Sequence, residues 1–341
     1  MADARDVGFM RRALALAERG WGQTAPNPMV GAVVVRDDEV VGEGYHTQFG
    51  EAHAEVNALR AAGDRARGAT VYVTLEPCAH HGKTPPCADA LITAGVSRVV
   101  IATADPNPDA AGGAARLRAA EIQVDDGVCE DDARELNAPF LFAARGATRP
   151  WVTLKLALSL DGAIADAHRT KGWLTGDASR AEVQRLRAGV DAIAVGVDTA
   201  IADDPLLTAR SVPMPRIPPL RVVFDRSHRL PDDRTVVRTA NEIPTAIMHE
   251  PDLGVALEEL RARGIRSLLV EGGAGMASEF LRRDLVDRLV IFQAPMILGR
   301  GSLNGFGGVP PVEVSAAVRY RIVRRRSFGD DLMTIYALHA V

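Results

Sequence analysis

Four side chains limit what this chain can fold into more than any other feature. His53 and Glu55 stand two positions apart, and Cys78 and Cys87 follow, each directly after a proline. An imidazole and two thiolates form a soft donor set that suits zinc in tetrahedral geometry, and three protein ligands leave the fourth corner open to water. His53, Cys78 and Cys87 are the candidate ligands, so the fold must bring them to one point. Glu55 would stand beside the open corner without ligating the metal, free to move protons. Both cysteines lie near expected helix starts, where the positive end of the helix dipole favours a thiolate. Taken singly, these pieces are weak. A lone His-Ala-Glu triplet most often satisfies local hydrogen bonds, and a lone buried cysteine packs as a small hydrophobe. Their conjunction points to one zinc ion (Zn2+) per chain. A purely structural zinc would ask for a fourth protein ligand, which His80 or His81 can supply.

At 341 residues the chain is too long for one ordinary domain and fits two. With 47% hydrophobic residues it can fill two cores. A formal charge of −4, with acids and bases interspersed, leaves no broad basic surface, so no nucleic-acid partner is expected. Three cysteines cannot all pair and two are claimed by the metal, which predicts a reducing compartment. Cys129 reads as a core or helix residue. The N-terminus lacks the apolar stretch of a signal peptide and no apolar run approaches membrane-spanning length, so no membrane association and a cytoplasmic location are expected.

Phe9, Met10, Ala13, Leu14 and Ala17 recur at helical spacing up to Gly20. Pro26-Asn27-Pro28 is a rigid loop before an apolar strand over residues 30–35, and Asp37-Asp38 turns the chain into a hairpin partner at 40–42. Residues 54–62 read as a helix with His53 and Glu55 at its start. A strand over 69–75 delivers Cys78 at its C-terminal end, where ligands collect in open α/β sheets. A helix over 87–94 and a buried strand over 97–102 follow, then the loop Asp105-Pro106-Asn107-Pro108 and a helix after Gly112-Gly113. Residues 130–143 read as one helix. This alternation predicts an α/β fold with a mixed sheet between helices. Residues 145–150 have linker composition, which places a domain boundary near residue 147.

Pro26-Asn27-Pro28, His53-Ala54-Glu55, Thr74-Leu75-Glu76-Pro77-Cys78 through Cys87, and Asp105-Pro106-Asn107-Pro108 closely resemble the bifunctional deaminase–reductases of riboflavin biosynthesis. Zinc nucleobase deaminases share the His-x-Glu and Pro-Cys order, with two residues between the cysteines where this chain has eight. Cytidine and tRNA adenosine deaminases share the metal triad but not the insert with His-x-Gly-Lys-Thr-Pro-Pro. The resemblance implies a cytidine deaminase-like α/β/α sandwich over residues 1–146 and a dihydrofolate reductase-like α/β domain over 147–341. It implies a small phosphorylated pyrimidine as substrate, a diaminopyrimidinone carrying ribose 5-phosphate. Asn27, His46, His80, Lys83, Asp105 and Asn107 are its implied contacts, with Asn and Asp suited to ring edges and Lys and His to phosphate. His81 matches no position of the family. A homo-oligomer is expected.

The second half opens on an apolar strand, residues 151–158, with one charge inside it, Lys155. Lys155-x-Ala157-x-Ser159-Leu160-Asp161-Gly162 resembles the start of the same family's reductase domain. So do Trp173-Leu174-Thr175-Gly176, Gly196-Val197-Asp198-Thr199, Asp203 to Thr208 followed by Arg210, and Leu268 to Gly275. At Glu271 to Gly275 a buried strand ends in glycines before a helix, which suits a phosphate cradle. No third glycine stands at dinucleotide-fold spacing, so this is not a Rossmann domain. The resemblance implies NADPH as cofactor, lined by Ala157, Trp173, Thr199, Asp203, Ser227, Gly273, Ala274, Gly275, Met276, Ala277, Ser278 and Glu279. Arg187, Leu207, Arg210 and Glu271 would line the substrate side. Lys171 stands where many relatives carry a substrate-contacting serine, and is read here as a phosphate ligand.

Strands are expected over 221–225, 245–248 and 267–270, helices over 253–263 and 276–282, and a closing hairpin over 319–328 and 332–337. Arg324-Arg325-Arg326 reads as an exposed strand edge. In the implied chemistry, Glu55 carries protons for a hydrolytic deamination, and Lys155 and Glu271 polarise or protonate the carbonyl of an opened ribosyl group as it becomes ribityl. Two rivals remain open: a deaminase of another base with a non-catalytic second domain, and a zinc-stabilised binding module.

Overall fold

A computed structural model of the chain describes residues 3–80, 85–108, 110–170 and 172–338. The chain divides after Ala147 into two compact units.

The first unit runs α1 (Ala4–Ala17), β1 (Gly31–Arg36), β2 (Glu39–Tyr45), α2 (Ala54–Ala62), β3 (Thr70–Val73), α3 (Cys87–Ala94), β4 (Arg98–Ile101), α4 (Gly113–Ala119), β5 (Gln123–Asp126), α5 (Glu130–Leu136) and α6 (Ala138–Ala144). The strand order is β2-β1-β3-β4-β5, with β1 antiparallel to both neighbours and β3, β4 and β5 parallel. Successive residues of β1 serve opposite faces. Ala32 and Val34 pack with Ala54, Ala58, Leu91 and Leu117, and Val33 and Val35 pack with Met10, Ala13 and Ala133. A strand buried on both faces must be apolar throughout, which is why 30–35 reads as a continuous run.

Close approach of α2 to the sheet sets the height of the metal ligands. A Cβ on Gly44 of β2 would lie 2.4 Å from the Ala54 carbonyl oxygen, so only glycine admits α2 at this distance. The expected single helix over 130–143 is two helices, α5 and α6, broken at Asn137. Pro139 lies in the first turn of α6, where its missing N–H costs nothing, but inside a continuous helix it would remove a hydrogen bond and clash. The buried Asn137 accepts from the Met29 amide (2.8 Å) and donates to the Met29 carbonyl (2.8 Å), which fixes the loop carrying Asn27.

The second unit runs β6 (Trp151–Leu158), β7 (Ala163–Ala165), α7 (Asp177–Ala188), β8 (Ala192–Gly196), α8 (Val197–Asp203), β9 (Leu220–Phe224), α9 (Thr235–Arg238), β10 (Thr245–Met248), α10 (Leu253–Ala262), β11 (Ser267–Val270), α11 (Ala274–Arg282), β12 (Arg288–Gln293), β13 (Leu303–Asn304), β14 (Arg321–Phe328) and β15 (Asp331–Ala337). Its main sheet has the order β10-β9-β8-β11-β6-β12-β15-β14, parallel from β10 to β12 and closed by the antiparallel β15 and β14. Leu154, Leu156 and Leu158 face α10 and α11 through Leu257, Leu260 and Phe280. Lys155 and Ala157 fall on the opposite face by strand alternation, with Ala157 packed beside Phe292. Arg324, Arg325 and Arg326 stand exposed on β14 at the sheet edge, as expected of a charged run in an edge strand.

Candidate metal centre and strand-end cofactor face

Three segments of the first unit converge. His53 is the N-cap of α2 and makes no capping bond with its ring, leaving the imidazole for other work. Cys87 opens α3 after Pro86, and Cys78 lies in the loop that follows β3. His53 Nδ1 is 3.2 Å from Cys87 Sγ and 3.7 Å from Cys78 Sγ, and the Cys87 amide donates to Cys78 Sγ at 3.3 Å. All three ligand atoms lie within 4.8 Å of one another. Tetrahedral zinc with bonds of about 2.0–2.3 Å holds such donors roughly 3.5–3.8 Å apart, so this set fits the ion. Hydrogen bonding from Cys87 and His53 lowers the Cys78 thiol well below its ordinary range, while Cys87 is pushed up by retaining the shared proton. A metal takes the place of that proton. Among the described residues, His80 is exposed and does not join the cluster, so no fourth protein ligand completes it.

Glu55, in the first turn of α2, is 3% exposed, and burial pushes its carboxyl above the usual range. A carboxyl of that kind takes up a proton more readily than an exposed one and can pass it on. His46 is buried edge-on to His53, with ring centroids 5.4 Å apart. The Ala52 carbonyl only accepts, so His46 Nδ1 carries the proton (3.3 Å) and Nε2 is left to accept from the Asn27 amide (3.3 Å). Burial holds His46 below its ordinary pKa and so in the neutral form. Asp105 accepts from the Asn107 amide (2.9 Å), and burial raises its carboxyl. The structure thus brings Asn27, His46 and His53 together and orders Asp105 with Asn107. Lys83 and His81 lie outside the described residues. Glu76 and Asn137 were not singled out from sequence. A carboxylate inside the cysteine motif was a usable signal for the first, and nothing local marked the second.

In the second unit, Thr199, Ser227 and Gly273 follow the C-terminal ends of the parallel strands β8, β9 and β11, the edge where open α/β sheets take ligands. The Gly273 amide donates to Thr199 Oγ1 at 3.1 Å, joining two residues expected on the cofactor side. Ser227 accepts from Arg229 (2.9 Å), which also reaches Asp198 (2.6 Å). Trp173 is 78% exposed, with the Arg180 guanidinium 5.4 Å from its ring centroid, and Asp203 ends α8 at the surface. The run Gly273 to Glu279 divides. Gly273, Ala274 and Gly275 form the helix start, and Met276 covers Gly196 and Gly272. Ala277 is wholly buried in the core, Ser278 accepts from the Gly308 amide (3.1 Å), and Glu279 pairs with Arg283 (2.6 Å). Those three side chains are thus engaged in the core or with partners of their own.

Arg187 grips Glu271 with two hydrogen bonds of 2.6 and 2.9 Å, both side chains being 11% exposed, and donates to the Thr208 carbonyl at 3.1 Å. Burial works to raise Glu271, but the charge and hydrogen bonds of Arg187 outweigh it and leave the carboxyl below its usual range. Burial lowers the Lys155 ammonium, against the pull of Glu271. Leu207 has its side chain in the core among Ile193, Val195 and Val223, with φ +53°, so only its backbone can meet a ligand. Arg210 is exposed, and Lys171 lies outside the described residues. Arg221 is a fully buried cation held by Thr245, Thr239 and the carbonyls of Val236 and Ile243, a role signalled only by one charge opening an apolar strand.

A histidine–cysteine–cysteine centre with a buried carboxylate on one sheet, and a glycine-opened helix at the strand ends of another, define the class: a zinc deaminase fused to a nucleotide-dependent reductase. Residues 4–103 match the cytidine and deoxycytidylate deaminase zinc-binding region, and residues 150–334 match the RibD C-terminal domain. The riboflavin biosynthesis protein RibD of Aquifex aeolicus is 42% identical, covering 97% of this chain and 98% of its own, and that of Escherichia coli is 41% identical, covering 96% and 98%. Among solved structures, RibD of Acinetobacter baumannii matches with a TM-score of 0.83 at 39% identity over 98% of each chain. The diaminohydroxyphosphoribosylaminopyrimidine deaminase/5-amino-6-(5-phosphoribosylamino)uracil reductase of Thermotoga maritima matches with 0.84 at 36%, again over 98% of each. The chain belongs to the RibD family, the bifunctional deaminase–reductases of riboflavin biosynthesis. It is a deaminase and reductase of small phosphorylated pyrimidines, cytidine deaminase-like in its first domain and dihydrofolate reductase-like in its second, with zinc and NADPH as cofactors.

Proposed function

We propose that the domain of residues 1–146 performs the deamination at His53, Cys78, Cys87 and Glu55, and that of residues 147–341 the reduction around Lys155 and Glu271. The observation that carries this is the convergence of three zinc donors beside a buried carboxyl. When bound, zinc supplies the Lewis acidity that makes water a competent nucleophile near neutral pH. Glu55 takes the proton of the attacking water and passes it to the ring nitrogen; it then takes the second proton from the new hydroxyl as that becomes the carbonyl, and delivers it to the amino group that leaves as ammonia. One C–O bond forms and one C–N bond breaks, with Glu55 regenerated. Neutral His46, Asn27, Asp105 and Asn107 hold the ring edges, and His80 and Lys83 take the phosphate.

In the reductase domain NADPH, when bound, supplies the reducing equivalent to the ribosyl carbonyl. Lys155, made more acidic than a free lysine by burial, donates the proton that the reduced oxygen takes. Glu271 keeps Lys155 in place, and Arg187 keeps Glu271. That engagement leaves the exposed Arg210, with Lys171, for the substrate phosphate. Thr199 and Gly273 to Met276 hold the cofactor, with Ala157, Trp173, Asp203 and Ser227 along the same edge. Three free cysteines, two of them ligands, support a reducing, cytoplasmic setting. Among the described residues no helix is long and apolar enough to cross a membrane. The uncovered edge strand β14 supports a homo-oligomer, which sedimentation measures directly.

The test separates the half-reactions. Chelating the zinc is expected to abolish ammonia release while NADPH oxidation on the deaminated intermediate continues. Loss of neither, or of both, refutes the division of labour.

A further inference from the structure

Glu76 sits between β3 and the metal ligand Cys78, and among the described residues its side chain bonds to backbone amides and to no member of the ligand cluster. Its carboxylate is spent on backbone. Oε1 accepts from the Gly112 amide (3.1 Å) and the Ala114 amide (3.0 Å), and Oε2 accepts from the Asp105 amide (3.3 Å). Two backbone bonds reinforce this stitching: Glu76 N to Thr103 O (2.9 Å) and Ala79 N to Ala110 O (3.1 Å). The two loops are pressed together at one more point. A Cβ on Gly113 would stand 1.8 Å from the Pro77 carbonyl oxygen, so the start of α4 lies directly on the backbone that presents Cys78.

The loop after β3 supplies a metal ligand and the loop after β4 supplies a ring contact, and both hang on one carboxylate. We infer that Glu76 is a positioning residue that holds Cys78 and Asp105 in a single frame, so that the metal and the pyrimidine edge keep a fixed separation. A carboxylate accepting three N–H groups resists displacement, because each amide it releases inside the loop loses a partner. This rests on the reading of Asp105 as a substrate contact, and the following experiment separates the two.

Full-length, zinc-loaded E76A, E76Q, D105N and the E76Q/D105N double variant are compared for deaminase KM and kcat, and for the rate of zinc release into a chelator. A glutamine keeps one oxygen, which stays on the Gly112 and Ala114 pair because two bonds outweigh one; its NH2 then faces the Asp105 amide, donor against donor. E76Q is therefore expected to raise KM about tenfold with kcat within about threefold and zinc release unchanged. E76A frees both loops and is expected to raise KM and speed zinc release by about tenfold each. Because E76Q acts through Asp105, the double variant should have the KM of D105N alone, whereas two independent effects would multiply. E76A with KM and zinc release both within twofold of the parent overturns the inference, and so does a multiplying double variant. If D105N leaves KM unchanged, the reading of Asp105 fails, while faster zinc release from E76A still upholds the clamp on Cys78. Should E76A fail to fold, E76D keeps the charge with a shorter reach and is expected to show the same paired shifts, about threefold each.

Discussion

The two units solve the same problem, holding reactive groups at strand ends, by different means. In the first, the reacting groups come from short loops after one parallel pair, β3 and β4, and from the start of α2, packed across β1 and β2, and three of them converge where one metal ion would tie them to a point. In the second, the groups come from Lys155 within β6 and from the ends of β8, β9 and β11, as far along the chain as Met276, and a buried ion pair between Arg187 and Glu271 lies at the centre. A metal bond tolerates small movements of loop backbone because the ion recruits its ligands. The Arg187–Glu271 pair has no ion to gather it and joins side chains set by α7 and by the end of β11. The deaminase unit thus concentrates its precision in a few contiguous residues, and the reductase unit distributes it.

The contrast can be broken at several points. The largest effect is expected from E55Q, which keeps the ligands but removes the proton carrier. Ammonia release should fall on the order of 10³-fold, with one zinc per chain retained and NADPH oxidation on the deaminated intermediate unchanged. Ammonia release at the parental rate would remove Glu55 from the chemistry. In the other unit, E271A leaves the Arg187 and Lys155 charges buried without their carboxylate. A cost of about 3–5 kcal/mol is expected, read as a lower urea midpoint in the fluorescence of Trp151 and Trp173 while deamination keeps its own midpoint. A matching drop in both would show that the units do not stand apart in stability.

G113A probes the tight contact with Pro77. The added methyl group must push α4 off the metal loop at about 1–3 kcal/mol, so deamination and zinc retention weaken and reduction does not. The smallest effect is expected at Asp6, whose carboxylate takes hydrogen bonds from Arg98 (2.9 and 2.8 Å) and Tyr72 (2.7 Å) and is held below its usual pKa chiefly by the Arg98 bonds. A depressed folded pKa stabilises above the unfolded value of about 3.9 and loses that contribution as pH falls through the folded one. D6N should therefore cost about 1–2 kcal/mol at pH 7, with the gap from the parent closing in acid below about pH 3.9. A gap independent of pH would mean that the asparagine loses packing and not charge.

Much of the metal site was legible in advance, because its residues are chemically rare and close in sequence. His53, Glu55, Cys78 and Cys87 announce a donor set, whereas Asn27, His46 and Asp105 entered through the family resemblance. The reductase face was legible mainly through resemblance. A run such as Gly273 to Glu279 can be recognised as a unit, but a helix turns about 100° per residue, so its later members point elsewhere. Ser278 is an example, engaged with the Gly308 amide. Leu207 shows the same limit, since a loop leucine beside expected ligands is in fact core. The helix break at Asn137 was foreshadowed by Pro139, but the grip of Asn137 on Met29 was not.

Sequence alone determined the chemistry of the ligands and which strands are buried on both faces, since side-chain softness and apolar period are properties of residues and their spacing. Only the tertiary structure decided which loops are neighbours. The order β1-β3-β4 places the Glu76 carboxylate against the amides of Asp105, Gly112 and Ala114, and the packing of α7 places Arg187 on Glu271. Backbone amides look alike at every position of a sequence, and sheet topology settles which of them a given carboxylate meets.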